Sequence, residues 1–185
     1  MAHAVVITGP SGVGKGTLIR SLRERMPELQ LSISATTRIP RAGETQGVDY
    51  HFMSDEEFVR HVGDGDFVEH AEYAGARYGT LRAELDTRRA SGKPVLLEIE
   101  VQGARQVREK MPEAVQVFIA PPSLDALRAR LVGRGADEPE QVEARLLTAE
   151  RELEAQDEFA RVVINDRLED AVDELVSVVE ATMGG

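Results

Sequence analysis

The sequence predicts an α/β fold, a parallel sheet flanked by helices, with an inserted segment. Three observations lead there. First, a short apolar run, Ala4 to Thr8, meets a glycine-rich stretch, GPSGVGKGT from Gly9 to Thr17, and then an apolar-periodic segment with Leu18, Ile19 and Leu22. That order of strand, Gly-rich turn and helix is the setting of a phosphate-binding loop. Second, strand-like runs alternate with helical periodicity at both ends of the chain, the pattern of a parallel-sheet core. Third, Pro94 to Ile99 is a mostly continuous apolar run, as interior parallel strands are.

Ala4 to Thr8 is the first strand. In the loop after it, Gly9 and Gly14 bracket four residues and Lys15 follows at once. Glycine reaches positive φ and lets backbone N–H groups approach an anion with no Cβ in the way. Those groups and the helix N-terminus make a donor nest for phosphate, to which Lys15 adds a point charge. The usual pattern places Ser or Thr directly after the lysine. Here Gly16 stands there, and the hydroxyl comes one residue later, on Thr17. A helix over about Lys15 to Arg25 ends before Pro27, which lacks the N–H and disfavours helix in its predecessor. Leu29 to Ile33 alternates apolar and polar, as a half-buried strand does.

Ser34 to Phe52 is rich in Thr, Gly and Pro and reads as loop with short strand pieces. A loop of that length in a compact domain is usually functional or disordered. Its Arg38 and Arg41, separated by a stiffening proline, fit a phosphate through bidentate bonds; solvated surface arginines are the plain alternative. Ser54 caps a helix in which Glu57 closes a capping box, and Gly63 and Gly65 end it. Phe67 to Tyr73 alternates as a strand. Gly75 and Gly79 punctuate a turn that holds Tyr78, and Thr80 caps a helix over about Leu81 to Ser91.

The run Pro94 to Ile99 leads into Glu98 and Glu100. Carboxylates at the C-terminal end of a central strand sit where open α/β sheets bind ligands, unless they merely leave the sheet for solvent. A helix over about Ala104 to Lys110 stops at Pro112. Ala114 to Ala120 is a strand, and Pro121-Pro122-Ser123 turns into a helix from Leu124 to about Val132. After Gly133-Arg134-Gly135 and an acidic stretch, a long helix runs from about Pro139 to Phe159. Val162 to Ile164 is the last strand. The C-terminal helix carries Leu168, Val172, Leu175, Val176 and Val179 on one face. The segment from about Ser34 to Gly79 reads as an insertion on the core. The four histidines have no metal-like spacing.

With 185 residues the chain has room for one domain with inserted subdomains. The absence of cysteine excludes disulfides and thiolate metal sites. No apolar run has membrane-spanning length and no signal-peptide pattern opens the sequence, so a cytoplasmic protein is expected. The net charge of −11 repels nucleic acid and anionic membrane. An anionic ligand therefore requires local cations. Arg38 and Arg41 supply one such group, and Arg130, Arg134 and Arg145 another.

Taken together, these residues resemble guanylate kinase across nearly the whole length. The matching motifs are GPSGVGKGT; S-x-T-T-R-x-P-R-x-G-E from Ser34 to Glu44; G-x-D-Y from Gly47; F-V-E-H-A from Phe67; Y-G-T from Tyr78; and E-I-E-V-Q-G from Glu98. I-A-P-P-S from Ile119, R-L-x-x-R-G from Arg130, R-L-x-x-A-x-x-E from Arg145 and V-I-N-D from Val163 complete the set. The resemblance implies a P-loop NTPase core with a parallel sheet flanked by helices (residues 1–33, 80–129 and 160–185). It implies an inserted GMP-binding subdomain (34–79) and a helical lid (about 130–159), with closure over Gly133 to Pro139 excluding water. It implies the reaction ATP + GMP → ADP + GDP, with magnesium as cofactor and small-molecule partners only, in a monomer or homodimer.

By that resemblance Ser34, Arg38, Arg41, Tyr50, Glu69, Tyr78, Thr80 and Glu100 bind GMP, with Arg38, Arg41, Tyr50 and Tyr78 on its phosphate. Gly9, Pro10, Ser11, Gly12, Val13, Gly14, Lys15, Gly16, Thr17, Arg130, Arg134 and Asn165 bind ATP. Lys15, Arg38, Arg134 and Arg145 serve catalysis, and Thr17 is the candidate magnesium ligand, directly or through water. Physical chemistry supports the base assignment separately. Guanine offers adjacent donors at N1 and N2, for which a carboxylate is the two-point acceptor, and hydroxyls of Ser34 and Thr80 suit O6. Such a site can discriminate by ~10⁴-fold, because the wrong base leaves buried groups unpaired. No protein nucleophile or general base is needed, since a phosphate monoester loses its second proton near pH ~6. Glu98 and Glu100 stand where the family usually shows aspartate, and Thr80 where serine is frequent. Two other readings remain open: a non-catalytic module that binds phosphopeptides through the Arg38 cluster, and a kinase of another phosphorylated acceptor, such as a phosphorylated sugar.

Overall fold

The computed structural model describes residues 4–133 and 139–183. Among them, chain order runs β1 (Ala4–Thr8), α1 (Lys15–Arg25), β2 (Gln30–Leu31), β3 (Ala35–Thr36), β4 (His51–Phe52), α2 (Asp55–Asp64), β5 (Phe67–Tyr73), β6 (Ala76–Leu81), α3 (Arg82–Arg89), β7 (Val95–Glu98), α4 (Val101–Lys110), β8 (Val115–Ala120), α5 (Leu124–Gly133), α6 (Pro139–Glu154), a 3₁₀ turn (Ala155–Glu158), β9 (Arg161–Ile164) and α7 (Leu168–Met183). Five strands form a parallel sheet in the order β2-β7-β1-β8-β9; Gln30 is in register with Val95, and Val117 with Arg161. Val5 to Ile7, Val95 to Leu97 and Val117 to Ile119 are all buried. Continuous apolar strands are what a sheet covered on both faces requires.

By its contacts the chain divides into two compact units, Met1–Val6 with Leu29–Val115 and Ile7–Glu28 with Gln116–Gly185. The first holds a second sheet, ordered β4-β3-β6-β5, in which β3 pairs parallel with β4 and antiparallel with β6. Phe58 of α2 stacks on Phe67 of β5 with ring centroids 4.4 Å apart, over Ala35. α2 is capped as the sequence predicts: the Ser54 hydroxyl accepts the Glu57 N–H at 3.1 Å, a cap whose loss typically costs ~1 kcal/mol. Gly65, left-handed at φ 75°, ends this helix, whereas Gly63 lies inside it.

The region after β5 differs from expectation. Tyr73 pairs with Ala76 across Ala74 (φ 50°) and Gly75 (φ 77°), a two-residue turn with both φ positive, as tight hairpins prefer. Tyr78, Gly79 and Thr80 therefore lie in β6, not in a turn or at a helix cap. Pairing of Glu69 with Thr80 takes the backbone that a cap would need, and α3 starts only at Arg82 without a side-chain cap. α4 likewise begins at Val101, three residues earlier than expected, with Glu100 at its N-cap position.

In the second unit, Leu127 and Leu131 of α5 pack against Val142, Leu146 and Ala149 of α6. α1 and α7 lie together, joined at the surface by the Arg25–Asp173 ion pair. The long helix closes at Glu154 and tightens into the 3₁₀ turn, so it is shorter than the sequence suggests. On α7 the buried stripe is Ala171, Val172, Leu175, Val178, Val179 and Thr182, while Leu168 is exposed. Arg134, Gly135 and Asp137 lie outside the described residues.

Candidate functional site

A cavity of about 350 Å³ opens in the first unit. Glu69 lines it, carried by β5 just past a register shift between Phe67 and Glu69. It is 3% exposed. Its Oε1 accepts the Thr80 hydroxyl at 2.7 Å. Burial pushes this carboxyl up to about 7, against the hydrogen bonds from the Thr80 hydroxyl and backbone that favour the ionised form. Ser34, Glu98 and Glu100 line the same cavity, as does Ser32. The Ser32 hydroxyl and Glu100 Oε2 are buried without a protein partner. Orphaned polar atoms in a cavity wall call for a ligand or water.

A second group of lining residues is cationic and aromatic. The Arg38 guanidinium lies 5.2 Å from the Tyr50 ring centroid and 5.8 Å from that of Phe52, and Tyr50 meets Tyr78 edge-on at 6.1 Å. Burial, with Tyr78 and Glu98 nearby, raises the Tyr50 hydroxyl's pKa against the pull of Arg38. Glu44 ties this group together. Its Oε1 accepts Arg38 Nη2 at 2.7 Å and its Oε2 accepts the Arg41 N–H at 2.7 Å. The Arg38 bond, then the Arg41 N–H, hold the Glu44 carboxyl below its ordinary range and keep the guanidinium firmly protonated.

The phosphate-loop sequence builds a second, shallower pocket of about 480 Å³ within the second unit, lined by Gly12, Val13, Gly14, Thr17, Arg130 and Asn165. Gly9 stands at φ 140°, and a Cβ there would strike the Ile119 carbonyl oxygen. Gly14 caps α1 in the left-handed region. Arg130 donates to the carbonyls of Val13 at 3.1 Å and Asn165 at 2.7 Å, and Asn165 Nδ2 donates to Val13 O at 2.8 Å. These two side chains brace the loop at the Val13 carbonyl. Lys15 Nζ donates to the loop's own carbonyls, Gly9 at 2.5 Å and Pro10 at 3.2 Å. From α6, Arg145 donates to the Ser11 hydroxyl at 3.0 Å, and Glu152 accepts the Ser11 N–H at 3.1 Å.

A family model described as guanylate kinase matches residues 1–182. The chain belongs to the guanylate kinase family. The guanylate kinase of Synechococcus sp. (strain CC9311) is 53% identical over 99% of this chain and 96% of its own. That of Frankia casuarinae is 54% identical over 94% and 95%. The crystal structure of guanylate kinase from Anaplasma phagocytophilum aligns with a TM-score of 0.78 at 32% identity, over 98% of this chain and 86% of that one. A shikimate kinase from Bacteroides thetaiotaomicron, at TM-score 0.52 and 17% identity, shares the fold alone.

Of the eight positions expected on the GMP side of a guanylate kinase, Ser34, Arg38, Arg41, Tyr50, Glu69, Tyr78 and Glu100 line the first cavity. Thr80 is buried behind Glu69, with its proton given to that carboxylate. On the other side, Lys15, Ser11, Arg130, Arg145 and Asn165 gather at the loop, while Arg134 lies outside the described residues. Glu44 and Glu152, which close two of the motifs but have no role assigned from the sequence, also bind residues of these sites.

Proposed function

We propose that the chain transfers the γ-phosphoryl group of ATP to GMP, giving ADP and GDP. One observation carries this reading: a single cavity is lined both by a buried carboxylate and by an arginine–tyrosine cluster. Guanine N1–H and N2–H₂ match the Glu69 oxygens, with the Ser34 hydroxyl left for O6 and Thr80 orienting the carboxylate. Arg38, Arg41, Tyr50 and Tyr78 would grip the GMP phosphate. Adenine reverses the donor pattern and would leave Glu69 buried and unpaired, a penalty of roughly 1–3 kcal/mol or more.

On the ATP side the loop N–H groups and Lys15 would cradle the phosphates, and Arg145 would neutralise charge as the phosphoryl group moves. Lys15 must first leave the Gly9 and Pro10 carbonyls. The acceptor oxygen is already anionic, so positioning and charge neutralisation are the whole task. Magnesium fits this donor set: it keeps most of its waters and binds mainly through substrate phosphates, and the exposed Thr17 lining the loop pocket would supply one oxygen, directly or through water. When bound, the ion offsets charge on the β- and γ-phosphates. We place the reaction in purine nucleotide metabolism and in the cytoplasm; among the described residues no helix is long and apolar enough to cross a membrane.

A coupled assay with ATP and each of GMP, AMP, UMP and CMP tests the reading. GMP alone should turn over efficiently, and Lys15→Met should abolish it in folded protein. Equal use of AMP would overturn the base assignment. No turnover with tight phosphopeptide binding would replace the enzyme with a binding module.

A further inference from the structure

α4 lies against the edge strand that carries Glu69, and one face of it meets that strand at successive points. Gly103, Gln106 and Lys110, spaced three and four apart, share that face. Lys110 Nζ donates to the carbonyls of Val68 at 2.7 Å and Phe67 at 3.4 Å. Gln106 acts as a short strand. Its Nε2 donates to the His70 carbonyl at 2.6 Å, and its Oε1 accepts the His70 N–H at 3.2 Å. The backbone on both sides of Glu69 is thus tied to α4.

One turn before those ties comes Gly103, buried in the helix. A Cβ on it would overlap Glu69 Oε2 and stand 3.0 Å from Glu69 Cδ. Gly103 has no positive φ, so no backbone strain demands glycine here. In a helix interior alanine is the better residue. The one group that a side chain at 103 would displace is the Glu69 carboxylate.

We propose that Gly103 is the specificity-determining residue behind the guanine site: its missing side chain leaves the room in which the Glu69 carboxylate is seated against α4. Resting on the guanine role given to Glu69 above, this adds the element that sets its position. β5 cannot retreat, because Gln106 and Lys110 hold it. A methyl at 103 therefore swings the carboxylate end away, off the Thr80 hydroxyl and out of register with N1 and N2. The fold absorbs this by turning one side chain, and base recognition does not.

Discrimination between GMP and IMP tests the proposal, since IMP lacks the 2-amino donor. Gly103→Ala should lower kcat/KM for GMP at least 100-fold and bring the GMP:IMP ratio close to one, with KM for ATP within twofold of wild type. Glu69→Asp draws the carboxylate back by one methylene, so adding it to Gly103→Ala should restore at least tenfold of the lost GMP activity. If Gly103→Ala folds poorly, the same double variant should regain the melting temperature, and purely additive effects of the two changes overturn the coupling. A GMP:IMP ratio unchanged by Gly103→Ala, or GMP and IMP losing activity equally, also overturns it. Glu69→Gln separates the two layers: if it leaves the GMP:IMP ratio intact, the guanine role of Glu69 fails first.

Discussion

In the role proposed for it, Glu69 would pair with guanine only when ionised, yet burial lifts its carboxyl to about 7. GMP and a proton therefore compete for it. KM for GMP should rise about tenfold per pH unit below 7 while KM for ATP stays flat. The GMP phosphate also titrates near pH ~6, so guanosine binding, which lacks that group, isolates the Glu69 component. Glu69→Gln should remove it. The stability sign follows from the same shift. A carboxyl raised in the folded state contributes below its ordinary value of 4.5, and that contribution is lost as pH rises through about 7. From pH 5 to 8 the wild type should lose a few kcal/mol relative to Glu69→Gln, measured by urea unfolding at each pH. Glu44 gives a second prediction at this scale. It fixes Arg38 and the Arg41 N–H before any phosphate arrives, so Glu44→Gln should raise KM for GMP about tenfold, the scale of a lost charge-assisted bond. A lowered KM would instead mark the carboxylate as a competitor of the substrate.

At the scale of elements, the phosphate loop depends on β8 as well as on its own glycines. A methyl at Gly9 would meet the Ile119 carbonyl oxygen, which is backbone and cannot step aside, at a φ of 140° that L side chains rarely adopt. Gly9→Ala should abolish ATP binding by calorimetry, while GMP binding to the first unit persists. Loss of both would mean that the change unfolds the chain. The strand–turn–helix form of this loop is legible in the sequence, because its geometry is local: spacing, glycine and the flanking elements state it. The β5–β6 hairpin was only half legible. The alternation of Phe67 to Tyr73 announced β5, but Gly79 read as a turn. It lies in β6, where the Phe67 ring and the Glu69 carbonyl, each 2.8 Å from where its Cβ would be, leave room for nothing larger. That contact joins residues ten or more apart, which no local pattern encodes. The burial of Glu69 and the service of Gln106 as a strand were hidden for the same reason. Arg38, Arg41 and Tyr50 were legible as a group, whereas Glu44, which binds two of them, was not given a role.

At the scale of the whole molecule, charge poses a problem that the local sites must solve. A protein of net charge −11 takes two polyanions as substrates. At 0.01 M salt the screening length is ~30 Å, so an approaching GMP feels the repulsion of the full protein; at 0.15 M it is ~8 Å, and the approach is governed by nearby groups such as Arg38 and Arg41. Raising salt over that range therefore removes long-range repulsion before it weakens the short, partly buried contacts inside the cavity. The association rate for GMP should increase with ionic strength between 10 and 150 mM, opposite to the fall expected for electrostatically steered binding. Its dissociation rate should rise less than the association rate over the same range. Stopped-flow binding at several salt concentrations measures both. An association rate that falls with salt would show that the arginine cluster's field reaches past the protein's own negative surface.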